Sequence, residues 1–142
     1  MTGKILVAVD GSEPAERALR EAAELARRLG AVLTVLTVVV PDARPVLAEP
    51  YASPLPSRLE ELEREGAEIL EQAAASLPDG VALEAVARKG PPGPAIVEQI
   101  EEGGHDLVVV GSRGFGAIKS LVLGSVSRHV LEHSPVSVLI VR

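Results

Sequence analysis

Val110-Gly111-Ser112-Arg113-Gly114-Phe115-Gly116-Ala117-Ile118-Lys119-Ser120-Leu121-Val122-Leu123-Gly124-Ser125-Val126-Ser127 begins as the end of a buried strand. It passes through a glycine-punctuated loop and restarts as a helix at Gly124-Ser125. Glycines at 111, 114, 116 and 124 are expected to allow positive φ and close approach of a ligand to the backbone. A loop that ends on Gly-Ser ahead of a helix aims free N–H groups at one point, which is the geometry of a phosphate seat. From Gly111 to Arg128 the only charged residues are Arg113, Lys119 and Arg128, so a basic island stands on a chain of net charge −6. Local field, rather than net charge, steers an anionic ligand. An ordinary strand-to-helix loop would also carry glycines, so glycine content alone leaves both readings open.

Outward from this loop the chain alternates. Lys4 to Val9 is a short apolar run closed by Asp10-Gly11-Ser12. Ser12, Glu13 and Pro14 start a helix whose apolar stripe is Ala15, Ala18, Leu19, Ala22, Leu25, Ala26 and Leu29, with Gly30 ending it. Ala31 to Val40 is apolar nearly throughout, as a strand covered on both faces should be. Prolines at 41, 45, 50, 54 and 56 make residues 41–56 a loop, either a disordered insertion or a flap at the carboxyl edge.

A second amphipathic helix is expected from Ser57 to Leu77, and a third strand, more exposed on one face, from Val81 to Ala87. Pro94 opens a short helix that stops at Gly103-Gly104, and Asp106 to Val110 is the fourth strand. Ser125 to His133 is the fourth helix, burying Val126, Val130 and Leu131, and Val136 to Val141 is the fifth strand. Five strands alternating with four helices predict an α/β three-layer sandwich around a parallel sheet.

Composition narrows the function classes. The 142 residues suit one domain, and 46% hydrophobic content supplies a core of Leu, Val, Ile and Ala. Tyr51 and Phe115 are the only aromatic residues besides histidine, so stacking platforms for single-stranded nucleic acid are lacking, and net charge has the wrong sign for DNA. There is no cysteine, hence no disulfide, thiol catalysis or Cys-ligated metal. The first residues lack a signal-peptide pattern and no apolar run is long enough to span a membrane, so a cytoplasmic protein is expected. His105, His129 and His133 are expected at the surface, and no cluster of ligating side chains suggests a dedicated metal site.

The loop is neither a Walker A motif nor a dinucleotide fingerprint. Its spacing, Gly111-x2-Gly114-x9-Gly124-Ser125, resembles the ATP-binding signature of the universal stress protein family. Ile5 to Ser12 resembles that family's first strand and turn, and Gly124 to Val130 and Ser134 to Val141 resemble its last helix and strand, so the likeness spans the chain. The resemblance implies a single Rossmann-like domain over 1–142, of the adenine nucleotide alpha hydrolase-like type, with strand order 3-2-1-4-5. It implies ATP across the carboxyl ends of strands 1 and 4, the switch point that physical reasoning also selects.

By position, Ala8, Val9 and Asp10 would border the adenosine, and the Val38 backbone would bond the adenine edge. Gly111, Arg113 and Gly114 would line ribose and phosphates, while Gly124, Ser125, Val126 and Ser127 hold the phosphate tail. The hydroxyls of Ser125 and Ser127 are expected to join the helix N–H donors there. Asp10 alone could equally be a turn or capping carboxylate. Mg²⁺ or Mn²⁺ bridged through the phosphates is implied as well.

No nucleophile–base pair or acid/base carboxylate pair is legible, so ATP is expected to be held with negligible hydrolysis, in a regulatory role in the stress response. Val136 to Val141, apolar on both faces at a sheet edge, is expected to pair with a second copy in a homodimer. The alternative is a homodimeric interaction module of the same fold that needs no nucleotide.

Overall fold

A computed structural model describes residues 3–41, 55–113 and 123–142. Nine elements follow in order: β1 Lys4–Ala8, α1 Glu13–Leu29, β2 Val32–Val39, α2 Leu55–Ser76, β3 Ala82–Lys89, α3 Pro92–Gly103, β4 Leu107–Gly111, α4 Ser125–His133 and β5 Ser137–Val141. The five strands form one parallel sheet in the order β3-β2-β1-β4-β5, as expected. Order reverses between β1 and β4, so the chain winds outward in both directions from β1.

Period-2 alternation splits the strand side chains into two cores. On one face Ile5, Val7, Val9, Leu33, Val35 and Val109 are buried together with the alanine-rich stripe of α1 and with Ala73 of α2. On the other, Leu6, Leu36, Val108 and Val110 are buried with Ile96 and Ile100 of α3 and Val130 of α4. Small residues on α1 (Ala15, Ala18, Ala22, Ala23 and Ala26) let that helix lie close to the central strands. α2 makes its close approach at Gly66, where a Cβ would meet a Val39 methyl at 3.1 Å.

Two helices start earlier than the sequence suggests. α2 begins at Leu55 rather than Ser57, and α3 at Pro92 rather than Pro94. In both cases proline sits in the first turn, where the missing N–H has no intrahelical acceptor to satisfy and the fixed φ is already helical. The rest of the 41–56 loop, from 42 to 54, lies outside the described residues, so neither the flap nor the disordered insertion is addressed. β3 runs two residues past Ala87 and is exposed along its length except at Val86 and Arg88, as an edge strand is.

Leu131, expected in the core, is 50% exposed. The inward stripe of α4 is buried Ser127 and Val130 with half-buried Val126, and Leu131 stands one helical step off it. His105 departs from expectation in the opposite sense: it is 3% exposed. The Gly103-Gly104 turn tucks its ring back beneath α3, so closely that a Cβ on Gly103 would lie 2.3 Å from the ring. The ring's Nδ1 faces the Gln99 carbonyl at 3.2 Å and therefore carries the proton, while buried Nε2 has no hydrogen-bond partner.

Burial pushes the His105 pKa down; the Gln99 hydrogen bond, Glu84 and Asp106 oppose that shift and Lys4 adds to it. A depressed histidine pKa means that the unfolded chain binds the proton more readily than the folded one. Stability is therefore complete above the ordinary imidazole pKa of about 6.5 and is lost progressively as pH falls below it. Urea unfolding between pH 7.5 and 5 should show this loss. His105→Asn, which keeps a donor and removes the titration, should flatten that part of the profile.

Candidate functional site

The carboxyl edge of the sheet is built from the ends of β1, β2 and β4. Pairing of β1 with β2 ends at Ala8 and Leu36, and Val9 N–H adds one last bond to the Leu36 carbonyl at 2.8 Å. On a strand, alternate residues point N–H and C=O to the same edge, so the next groups facing β1 belong to Val38. By then β1 has turned away through Asp10-Gly11-Ser12. Val38 thus presents a backbone donor and acceptor toward a place where a strand has ended, as an adenine edge would require.

That turn is held by Asp10. Its Oδ1 accepts from Ser12 N–H at 2.9 Å and from Ser12 Oγ at 2.5 Å, while Ser12 Oγ accepts from Ala15 N–H at 3.4 Å and so caps α1. Gly11 between them has φ 85°, which an L side chain rarely adopts. Asp10 therefore has the turn role considered for it, yet it is exposed and no described residue engages its other carboxylate oxygen.

Across the crevice, β4 ends at Gly111 and α4 restarts at Ser125 with Gly124 as N-cap. Gly124 N–H donates to the Ser112 carbonyl at 2.7 Å, and Arg128 N–H returns to the Gly124 carbonyl at 3.0 Å. The N–H groups of Ser125, Val126 and Ser127 occupy the first turn, where none has an intrahelical acceptor. Ser125 is exposed and Val126 half-buried; the Arg113 and Arg128 cations stand on either side of the helix start in sequence. No acidic residue accompanies them between 111 and 128. Three donors at the positive end of a helix suit an anion.

Three expectations change. Gly111 and Gly124 do not use positive φ; Gly124 sits at −72°. Gly111 is required instead by contact, because a Cβ there would meet the Pro14 carbonyl oxygen at 2.9 Å. The Ser127 hydroxyl, assigned to phosphate, donates to the Gly111 carbonyl at 2.5 Å and is 4% exposed, so only its N–H is left for a ligand. Gly114 lies outside the described residues, as do Gly116 and Lys119. Sequence reasoning missed Ser112, whose N–H bonds the Val141 carbonyl at 2.8 Å while its carbonyl anchors Gly124. Its only signal was its place between two site residues.

The histidines add no ligand set. His129 and His133 stack at 4.1 Å on α4, and among the described residues no group of three His, Cys, Asp or Glu side chains could hold a metal. Asp10 follows β1 and the first turn of α4 follows β4, so both stand at the carboxyl edge over neighbouring strands; Val38 lies on β2, on the other side of β1.

A sequence model described as the Universal stress protein family matches residues 1–142. The chain belongs to the universal stress protein family. It is 36% identical over 148 residues to the universal stress protein YxiE of Bacillus subtilis, covering 100% of both chains. Among solved structures it resembles the universal stress protein UspA of Lactobacillus plantarum, with TM-score 0.79, 29% identity and coverage of 99% and 97%.

Two further universal stress proteins carry nucleotides. One, solved in complex with cAMP, is 29% identical with TM-score 0.62, the match covering 99% of this chain and 96% of that one. The other, from Arabidopsis thaliana with AMP bound, is 25% identical with TM-score 0.70 and coverage of 98% and 90%. No helix among the described residues is long and apolar enough to cross a membrane.

Proposed function

We propose that this universal stress protein binds an adenine nucleotide, with ATP as its ligand, at the carboxyl-edge crevice and acts as a regulatory protein in the stress response. One observation carries the reading. The first turn of α4, which follows β4, and Val38, which lies just past the end of the β1–β2 ladder at Leu36, are both at the carboxyl edge of the sheet, beside the β1–β4 boundary where strand order reverses. The phosphates take the N–H groups of Ser125, Val126 and Ser127 and the Ser125 hydroxyl, with Arg113 lending charge. Asp10 turns its free carboxylate oxygen to the ribose hydroxyls, a role suited to a carboxylate that must avoid the phosphates. Ala8 and Val9 border the adenosine, and the Val38 backbone reads the adenine edge. The AMP and cAMP carried by family members of the same fold support an adenine nucleotide as the ligand.

Mg²⁺ or Mn²⁺ would come with the ATP phosphates, offsetting their charge, rather than be held by a cage of side chains. The described side chains at the crevice fit that arrangement, since Asp10 is the carboxylate on this part of the edge and one of its oxygens is already committed to Ser12. Among the described residues the carboxylate at this edge is Asp10, which is assigned here to the Ser12 turn and the ribose rather than to activating water, so the protein holds ATP with negligible intrinsic hydrolysis. It works in the cytoplasm, without nucleic-acid or membrane partners.

A second copy of the chain is the other partner. β5 closes one edge of the sheet, and Val138, Leu139, Ile140 and Val141 are only half-buried along it. Its outer N–H and C=O groups, which no other described strand pairs, are flanked by apolar side chains and suit edge-to-edge pairing across a two-fold axis.

Thermal unfolding with ATP and Mg²⁺ tests the ligand: at 100 times Kd the gain is about 2.7 kcal/mol, or roughly 10 °C for a domain of this size. Gly124→Val should abolish the shift. No shift in the wild-type protein would leave the nucleotide-independent dimer as the better reading. Phosphate release from ATP should stay far below about one per second, a rate within the ordinary enzyme range. Light scattering at micromolar concentration should give the dimer mass, and a monomer would overturn the β5 pairing.

A further inference from the structure

The start of α4 is pinned at two points by bonds within the protein. Gly124 N–H donates to the Ser112 carbonyl at 2.7 Å, and Ser127 Oγ donates to the Gly111 carbonyl at 2.5 Å. The acceptors are consecutive carbonyls where β4 ends, and the donors are the N-cap and the third residue of the helix. A helix end held by one bond can swing about it; held by two, it cannot turn without breaking one. The second bond is part-buried, and its donor residue Ser127 is only 4% exposed, so water has little access to the hydroxyl.

Gly111 is itself held from the other side. Its Cα lies so close to Pro14 that a Cβ would come within 2.9 Å of the Pro14 carbonyl oxygen. Pro14 stands in the first turn of α1, whose cap Ser12 is tied to Asp10. The contacts therefore run from Asp10 through the α1 start and Gly111 to Ser127, joining the two sides of the crevice.

We propose that Ser127 is a positioning residue whose hydroxyl clamps α4 onto Gly111 and thereby sets the direction of the N–H groups offered to phosphate. This use of the clamp rests on the nucleotide reading above, whereas the clamp itself exists without ligand. A binding group held by hydrogen bonds within the protein keeps its geometry before the ligand arrives. Serine suits the place because its hydroxyl reaches a carbonyl across the helix start while its backbone N–H stays available. The Ser125 hydroxyl, exposed at the same helix start, is the one free to touch phosphate directly.

Amide hydrogen exchange of the nucleotide-free protein, read beside AMP and adenosine affinities, tests the proposal. Ser127→Ala should speed exchange of the Gly124 amide about tenfold, on the scale of losing one such hydrogen bond. It should weaken AMP by about tenfold as well while changing adenosine by much less. Ser127→Thr, which keeps the hydroxyl, should restore both, and Ser125→Ala should weaken AMP without altering Gly124 exchange. Weaker AMP binding in Ser127→Ala with unchanged Gly124 exchange would overturn the clamp and make Ser127 a direct ligand. Equal losses for AMP and adenosine would overturn its specific effect on phosphate. Failure of the wild-type protein to bind AMP would overturn the nucleotide reading instead, and the exchange rates would still decide whether the clamp exists.

Discussion

The bond from Val9 N–H to the Leu36 carbonyl is the last rung between β1 and β2, and the carboxyl edge is organised by its being the last. One residue further, β1 turns on Asp10 and Gly11 into α1, while β2 continues to Val39. On the other side of β1, pairing with β4 is in register through Val7 and Val109, and β4 then leads to the start of α4. A crevice exists because two chains leaving neighbouring strands depart to opposite faces of the sheet. In a parallel sheet this happens only where strand order reverses. Side chains at that point decorate a gap that topology has already made.

Binding and support are divided between adjacent atoms there. Asp10 spends one carboxylate oxygen on Ser12 and keeps the other exposed, and Ser127 spends its hydroxyl on Gly111 and keeps its N–H. Backbone groups are thus left to face a ligand while side chains hold the backbone. A site made this way asks little of side-chain chemistry, which agrees with a chain that has no cysteine and almost no aromatic residues. Its specificity would rest on the shape of the edge and on the fixed direction of the amides.

Much of this was legible in the sequence, for identifiable reasons. The strand order followed from the family resemblance, and the alternation of elements from apolar runs that change period between Lys4–Val9 and Ala15–Leu29. The starts of α2 and α3 are harder to read, because Pro56 closes a proline-rich run and Pro94 offers itself as the first helical residue, although a first turn tolerates proline at either place. His105 was placed at the surface because a lone polar residue carries no periodic signal; only the fold of Gly103 and Gly104 puts it inside. Gly111 was legible as a necessary glycine but for the wrong reason, since its constraint comes from Pro14, far away in sequence. The hydroxyl of Ser127 was misassigned for a similar cause: a serine near a phosphate seat can face the ligand or the strand, and spacing does not distinguish them.

In the proposed seat an adenine nucleotide lies between Val38 and the start of α4. Backbone amide NMR on titration with AMP examines that placement directly. The account predicts the largest shifts at Val38, Ser125, Val126 and Ser127, with the His105 region at the opposite edge of the sheet unchanged. Saturable shifts centred on another part of the fold, or none at these amides, would contradict it.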